Sequence, residues 1–334
     1  MAYKPPAAGQ PLSGLHQGNE VLSGNISRLV SEKTPITSIE RYNALGLAVS
    51  NVEVSIAFYK RLGWELKSQS NLVTILLHST GLELHIFKSD RAHEGNKNIL
   101  MDYDDRKYPG INHMSFSVPN VGATKEFLES TGFKLSGTRQ YPNDPRLYAI
   151  FIRDPDQTTI EFEKNGPEET VTNFHAGLIG HEKPIDHVGI RVNDPTEVAA
   201  WYAEKLGFNN LIAKFEYNPE KPLSNGRPWI TQTKAGIDIN LILNTNERPI
   251  EHVLITGGSV APGILYTVWS IGEESVAEVG DKLKAEGVTV VLEKDIEASG
   301  LKFLAQRFVP SVEGRGSVFI QDPSLNILRL VGRA

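Results

Sequence analysis

An α+β fold of four βαβββ repeats is predicted by three observations. A strand of alternating polarity followed by a capped helix recurs four times, each helix stops at a glycine, and strands of period two follow. The clearest copy is Pro109-Gly-Ile-Asn-His-Met-Ser-Phe-Ser-Val-Pro-Asn120. Met114, Phe116 and Val118 alternate with His113, Ser115 and Ser117, which makes a half-buried strand with His113 on the polar side. Asn120 can cap the helix from Val121 to Thr131, and Gly132 can take the left-handed conformation that closes it. The other copies begin at Asn43, Asp186 and Leu265 and end at Gly63, Gly207 and Gly287. Ala44 stands to Gly63 as His113 stands to Gly132. The separation grows by one residue from His187 to Gly207 and by two from Tyr266 to Gly287.

In chain order, residues 1–37 are rich in Pro, Gly and Ser and read as an N-terminal arm, with Leu22, Ile26, Leu29 and Val30 on one face of a short helix. Such an arm either packs across a domain or a second subunit or is a loosely docked tail. Residues 38–164 form an N-terminal domain of two repeats. Strands follow its helices at Leu72 to His78, Leu82 to Phe87, Leu147 to Arg153 and Thr158 to Glu163. Residues 165–183, with Gly166-Pro167-Glu168-Glu169, are the linker. Residues 184–334 repeat the plan in a C-terminal domain, with longer inserts at Asn218 to Trp229 and Asn246 to Pro262.

Composition narrows the function classes. The 334 residues, 40% hydrophobic and 22% charged, describe a globular chain with no apolar run of the roughly 18 residues a membrane helix needs. Cysteine is absent, which removes disulfides, thiol nucleophiles and thiolate metal sites, and no secretory signal is read at the start, so cytoplasm is the expected compartment. A net charge of −6 without basic clusters argues against nucleic acid and membrane as partners. Walker-type and Gly-x-Ser-x-Gly loops are missing. A small-molecule substrate is the expected partner, and the arm leaves a homo-oligomer open.

The motifs Asn112-His113-Met114-Ser115-Phe116-Ser117-Val118, Phe58-Tyr59 with Leu62-Gly63-Trp64, Asp186-His187-Val188-Gly189-Ile190-Arg191-Val192 and Asp154-Pro155-Asp156-Gln157-Thr158-Thr159-Ile160-Glu161-Phe162 together resemble the vicinal oxygen chelate (VOC) superfamily. That superfamily includes glyoxalase I, fosfomycin and bleomycin resistance proteins and type I extradiol dioxygenases. The resemblance covers about 40–334 and implies two VOC-type domains, each a curved mixed sheet of two repeats with helices outside and a metal or ligand inside.

Strand parity puts Ala44, His85, His113 and Glu161 on the concave side of the N-terminal half. The superfamily's ligand positions, on the first and last strands of each repeat, fall on these same residues. The implied metal ligands are therefore His85, His113 and Glu161, with Ala44 leaving a position open for water, substrate or dioxygen. Glu83 and Glu163 share that face as supporting groups or rim charges. The C-terminal equivalents are His187, Asn240, Tyr266 and Arg329, where Arg329 in place of a carboxylate repels a divalent ion and implies a metal-free half. There His187, Arg329 and Asp238 bind an anion or form a structural cluster. Tyr103, Tyr141, Arg146 and Tyr148, in two polar segments, are the expected substrate contacts.

The resemblance implies a metal-dependent enzyme, first a ring-cleavage-type dioxygenase using Fe(II). The alternative is a glyoxalase- or epimerase-type isomerase or lyase using Mn, Zn, Ni or Co. A metal-free binding protein of the resistance type is a third reading, which the three ligand residues oppose.

Overall fold

Alternation and glycine stops build the elements in the computed structural model, which describes residues 34–92, 109–140, 145–164, 184–215, 229–234, 236–243, 255–256, 258–272, 275–311 and 316–332. Most of the N-terminal arm, the linker, Tyr103 and Tyr141 lie outside the described residues.

The first repeat comprises β1 (Ile39–Val49), α1 (Val52–Arg61), β2 (Trp64–Gln69), β3 (Thr74–His78) and β4 (Glu83–Lys88). The second has β5 (Gly110–Ser117), α2 (Val121–Ser130), β6 (Leu135–Gln140), β7 (Leu147–Arg153) and β8 (Thr159–Glu163). The third has β9 (Ile185–Val192), α3 (Pro195–Leu206), β10 (Asn210–Phe215), β11 (Trp229–Lys234) and β12 (Ile237–Leu243). After a short hairpin, β13 (Ile255–Thr256) and β14 (Ser259–Val260), the fourth has β15 (Gly263–Ile271), α4 (Val276–Ala285), β16 (Val290–Leu292), β17 (Ser317–Gln321) and β18 (Ile327–Val331).

Side chains of Asn51, Asn120 and Asp194 cap the first three helices by accepting backbone N–H bonds. Gly63, Gly132, Gly207 and Gly287 stop all four helices at φ between 79° and 94°, where a side chain is strained.

Two eight-stranded mixed sheets result, as the α+β fold class requires. One runs β16-β17-β18-β15-β1-β4-β3-β2 and the other β10-β11-β12-β9-β5-β8-β7-β6. Inside each repeat the first and last strands pair in parallel, while the central pairs β1·β15 and β5·β9 are antiparallel. The first sheet therefore joins repeats one and four, and the second joins repeats two and three. The expectation that neighbouring repeats share a sheet is corrected here, because their first strands pair with a partner from the other half of the chain.

Neighbouring repeats instead dock through their apolar sides. One continuous core contains Leu45, Leu47, Leu84 and Ile86 of repeat one with Met114, Phe116, Ile160 and Phe162 of repeat two, and their counterparts in the other two repeats. Each such side chain contributes roughly 1.5–3 kcal/mol on burial. The docking also uses buried polar links between the sheets. Tyr59 donates to Asp154 at 3.1 Å and Tyr202 to Asp322 at 3.0 Å, while Ile111 N–H reaches Asn326 at 3.0 Å.

Burial pushes the Asp154 carboxyl up to about 7 and that of Asp322 to about 6, against the hydrogen bonds each accepts. An unfolded aspartate ionises near 3.8, so the folded state holds its proton longer. The contribution of Asp154 is complete below pH about 4 and is lost as pH rises through about 7. Asp154→Asn keeps the acceptor oxygen and removes the charge. It is expected to raise stability at pH 8 by roughly 1–3 kcal/mol and to flatten the fall in unfolding midpoint between pH 5 and 8. A denaturant titration series in which wild type and variant show the same slope with pH would refute this.

Candidate metal centre

Register makes the four repeats strictly comparable. His85 pairs with Gly46, Glu161 with Ser115, Asn240 with Gly189 and Arg329 with Val268, each two residues beyond Ala44, His113, His187 and Tyr266. Residues of this parity lie opposite the apolar core. Each sheet thus collects one set of four positions from its two repeats.

In the second sheet the set is His113, Glu161, His187 and Asn240. His113 faces Gly189 and His187 faces Ser115 across the central pair, so small residues let both rings approach the middle. His113 Nε2 and His187 Nε2 lie 2.8 Å apart, and each is 3.2 Å from Glu161 Oε2. All three residues are buried. Asn240 bonds Thr231 at 2.7 Å.

Both rings are oriented from behind by the residue that precedes them. His113 Nδ1 donates to Asn112 Oδ1 at 2.5 Å, and His187 Nδ1 to Asp186 Oδ1 at 3.2 Å with Glu163 at 3.5 Å. Each Nε2 lone pair is then left facing the other and the Glu161 carboxylate, an arrangement of acceptors that calls for a cation between them. Ligand atoms about 2.1 Å from an ion and at right angles to one another lie about 3 Å apart, which matches these separations. Ser115 and Thr159, on the same face, each bury a hydroxyl without a partner among the described residues. His113, Glu161 and His187 fit a divalent metal.

Electrostatics agree with the geometry. Burial lowers the proton affinity of His113. It acts the same way on His187, but Asp186, Glu161 and Glu163 outweigh it and hold that imidazole well above its ordinary value. Glu161 falls to about 2, the two imidazoles overcoming its burial.

The first sheet collects Ala44, His85, Tyr266 and Arg329, and its face is filled by its own chain. Ile296, Leu301 and Leu304, from the 3-10 turns between β16 and β17, pack with Phe87, Tyr266, Phe319 and Ile327. His85 binds Tyr266 at 3.1 Å and Glu83 at 3.0 Å. Arg329 binds Ser317, Ser311 and Glu293 at 2.9, 3.0 and 3.1 Å.

Of the three expected ligands, then, the structure brings together His113 and Glu161 and places His85 on the other sheet. His187 takes its position. Arg329 is on the first sheet, so its charge does not bar His187 from a metal, and the expectation of a metal-free set built around His187 is corrected. Shared dipeptides held the missing signal: Asn112-His113 and Asp186-His187 both put an acceptor before the histidine, whereas Ala44 and Tyr266 offer no imidazole. Of the expected substrate contacts, Arg146 is exposed and Tyr148 is buried beside Ala149 and Phe151.

A family model described as the Glyoxalase/Bleomycin resistance protein/Dioxygenase superfamily matches residues 41–162 and 184–328. The chain belongs to this superfamily. Glyoxalases and dioxygenases are among its enzymes. A lactoylglutathione lyase of Schizosaccharomyces pombe is 30% identical over 101 residues, 29% of this chain and 30% of that protein. A candidate dioxygenase of Bacillus subtilis superposes with a TM-score of 0.58 at 11% identity, covering 89% of this chain and 86% of that one. Zea mays glyoxalase I does so with 0.52 at 14%, covering 87% and 92%. These two likenesses show the superfamily's fold. The superfamily match to the curated relatives spans less than two thirds of their length, 63% for one and 30% for another. No helix among the described residues is long and apolar enough to cross a membrane.

Proposed function

We propose that this chain is a metal-dependent dioxygenase, of the ring-cleavage or a related type, acting on a small molecule that offers two neighbouring oxygens. The observation that carries the reading is the set of three buried ligand atoms, two imidazole and one carboxylate, 2.8–3.2 Å apart. Two histidines and one carboxylate suit iron(II), which when bound supplies both Lewis-acid and redox chemistry toward dioxygen. His113, Glu161 and His187 hold the ion. Asn112 and Asp186 fix the ring orientations, Ser115 presents a hydroxyl beside Glu161, and burial keeps bulk water from the ligand atoms. Asn240 stands where a second carboxylate would complete a four-ligand set, which favours the oxygenase over an isomerase.

Protein reconstituted anaerobically with iron(II) is expected to consume oxygen with members of a catechol and hydroquinone panel. A loaded enzyme that consumes none would reject the reading. The second reading is an isomerase or lyase using manganese, zinc, nickel or cobalt, favoured by the 30% identity to a lactoylglutathione lyase. Turnover without oxygen on a zinc- or nickel-loaded sample separates the two.

A further inference from the structure

We propose that the substrate of this centre carries a carboxylate beside its chelating oxygens and that Arg191 receives it; the inference rests on the metal centre proposed above. Arg191 lies on β9 with the same parity as His187 and Gly189, so it shares the metal centre's face of the second sheet. It is 1% exposed. His113 comes from the opposite strand and seats its ring over Gly189, where an added Cβ would lie 1.7 Å from the ring. Along β9 the order on this face is therefore His187, the His113 ring, then Arg191.

Same-face residues two apart on a strand are separated by about 6.6 Å, a distance the arginine stem can span to reach a molecule held at the ligand atoms. The positive charge is felt at His113, where it opposes protonation. Glu161 is held between the two imidazoles, and Glu163 and Asp186 approach Nδ1 of His187. A carboxylate entering with substrate thus meets acids on the His187 side and a cation beyond His113.

The guanidinium's planar fork matches a carboxylate with two parallel hydrogen bonds, and a buried site strengthens the pairing. The equivalent face of the first sheet shows a cation used differently. There Arg329 is held by Glu293, Ser311 and Ser317, and the chain itself fills the surrounding space.

Calorimetric titration of zinc-loaded protein with 3,4-dihydroxybenzoate and with catechol tests the proposal. The two share an oxygen pair and differ by one carboxylate. Wild type is expected to bind the acid at least about tenfold more tightly than catechol, Arg191→Met to reduce that ratio to near one, and Arg191→Lys to leave an intermediate value. Elemental analysis is expected to show equal metal in all three. Equal binding of the two compounds by wild type, no binding of the acid, or an undiminished ratio in Arg191→Met overturns the proposal. The wild-type ratio decides even if the methionine variant does not fold. A wild type that retains no zinc refutes the metal centre itself, and this inference with it.

Discussion

Replacing His187 with alanine is expected to strip the chain of its metal, while the same change at His85 leaves metal content intact. His187 supplies one of three ligand atoms, and its loss leaves His113 and Glu161 as a two-point site. Bound iron or zinc is expected to fall from about one per chain to below about 0.1 at micromolar metal, and turnover to fall by about 10³-fold or more. His85 has a different environment. Its ring nitrogens bind Tyr266 and Glu83, and burial lowers its proton affinity against the pull of Glu83. Its removal leaves the buried Tyr266 hydroxyl without this partner, for a stability cost of about 1–3 kcal/mol, and does not touch the metal. Elemental analysis after gel filtration, with a melting curve for each variant, reads both effects. A His85→Ala protein without metal, or a His187→Ala protein that keeps it, would return the ligand set to the N-terminal half.

The contrast between these histidines marks where sequence reasoning reached its limit. Parity was legible because alternation is local: Met114 and Phe116 face the core and His113 faces away, as their order along the strand demands. The helix stops were legible because Gly63, Gly132, Gly207 and Gly287 each supply a left-handed φ that other residues adopt with strain. The equivalence of His85, Glu161, Asn240 and Arg329 followed from the same repeat length. Which repeats share a sheet was not legible. Every first strand presents an edge able to pair with any other, and the choice is made by contacts between residues far apart in sequence. Ser115 against His187 and Gly189 against His113 are such contacts, and neither small residue carries a mark of its role. The resemblance to known folds supplied adjacent pairing, and that assumption carried His85 into the ligand set and left His187 out.

Gly189→Ala is expected to damage the metal centre more than any other change of a single methyl group. The added carbon would lie 1.7 Å from His113 Cε1 and 2.1 Å from Nδ1, so the ring must leave its place and take Nε2 away from Glu161. No left-handed backbone is required at Gly189, so the effect is steric and falls on the ring. Metal affinity is expected to drop about 100-fold or more, while overpacking costs about 1–3 kcal/mol of stability. Gly46 is its counterpart in the first sheet, where an added carbon would lie 2.3 Å from the Tyr266 ring. Tyr266 stacks on Phe87 with centroids 6.2 Å apart, so Gly46→Ala is expected to cost similar stability and no metal. Metal titration and thermal unfolding of the two variants side by side make the comparison. Equal metal affinity in both would mean that the His113 ring can move without disturbing the ligand atoms. The seat over Gly189 would then be a packing feature and not the support of the centre.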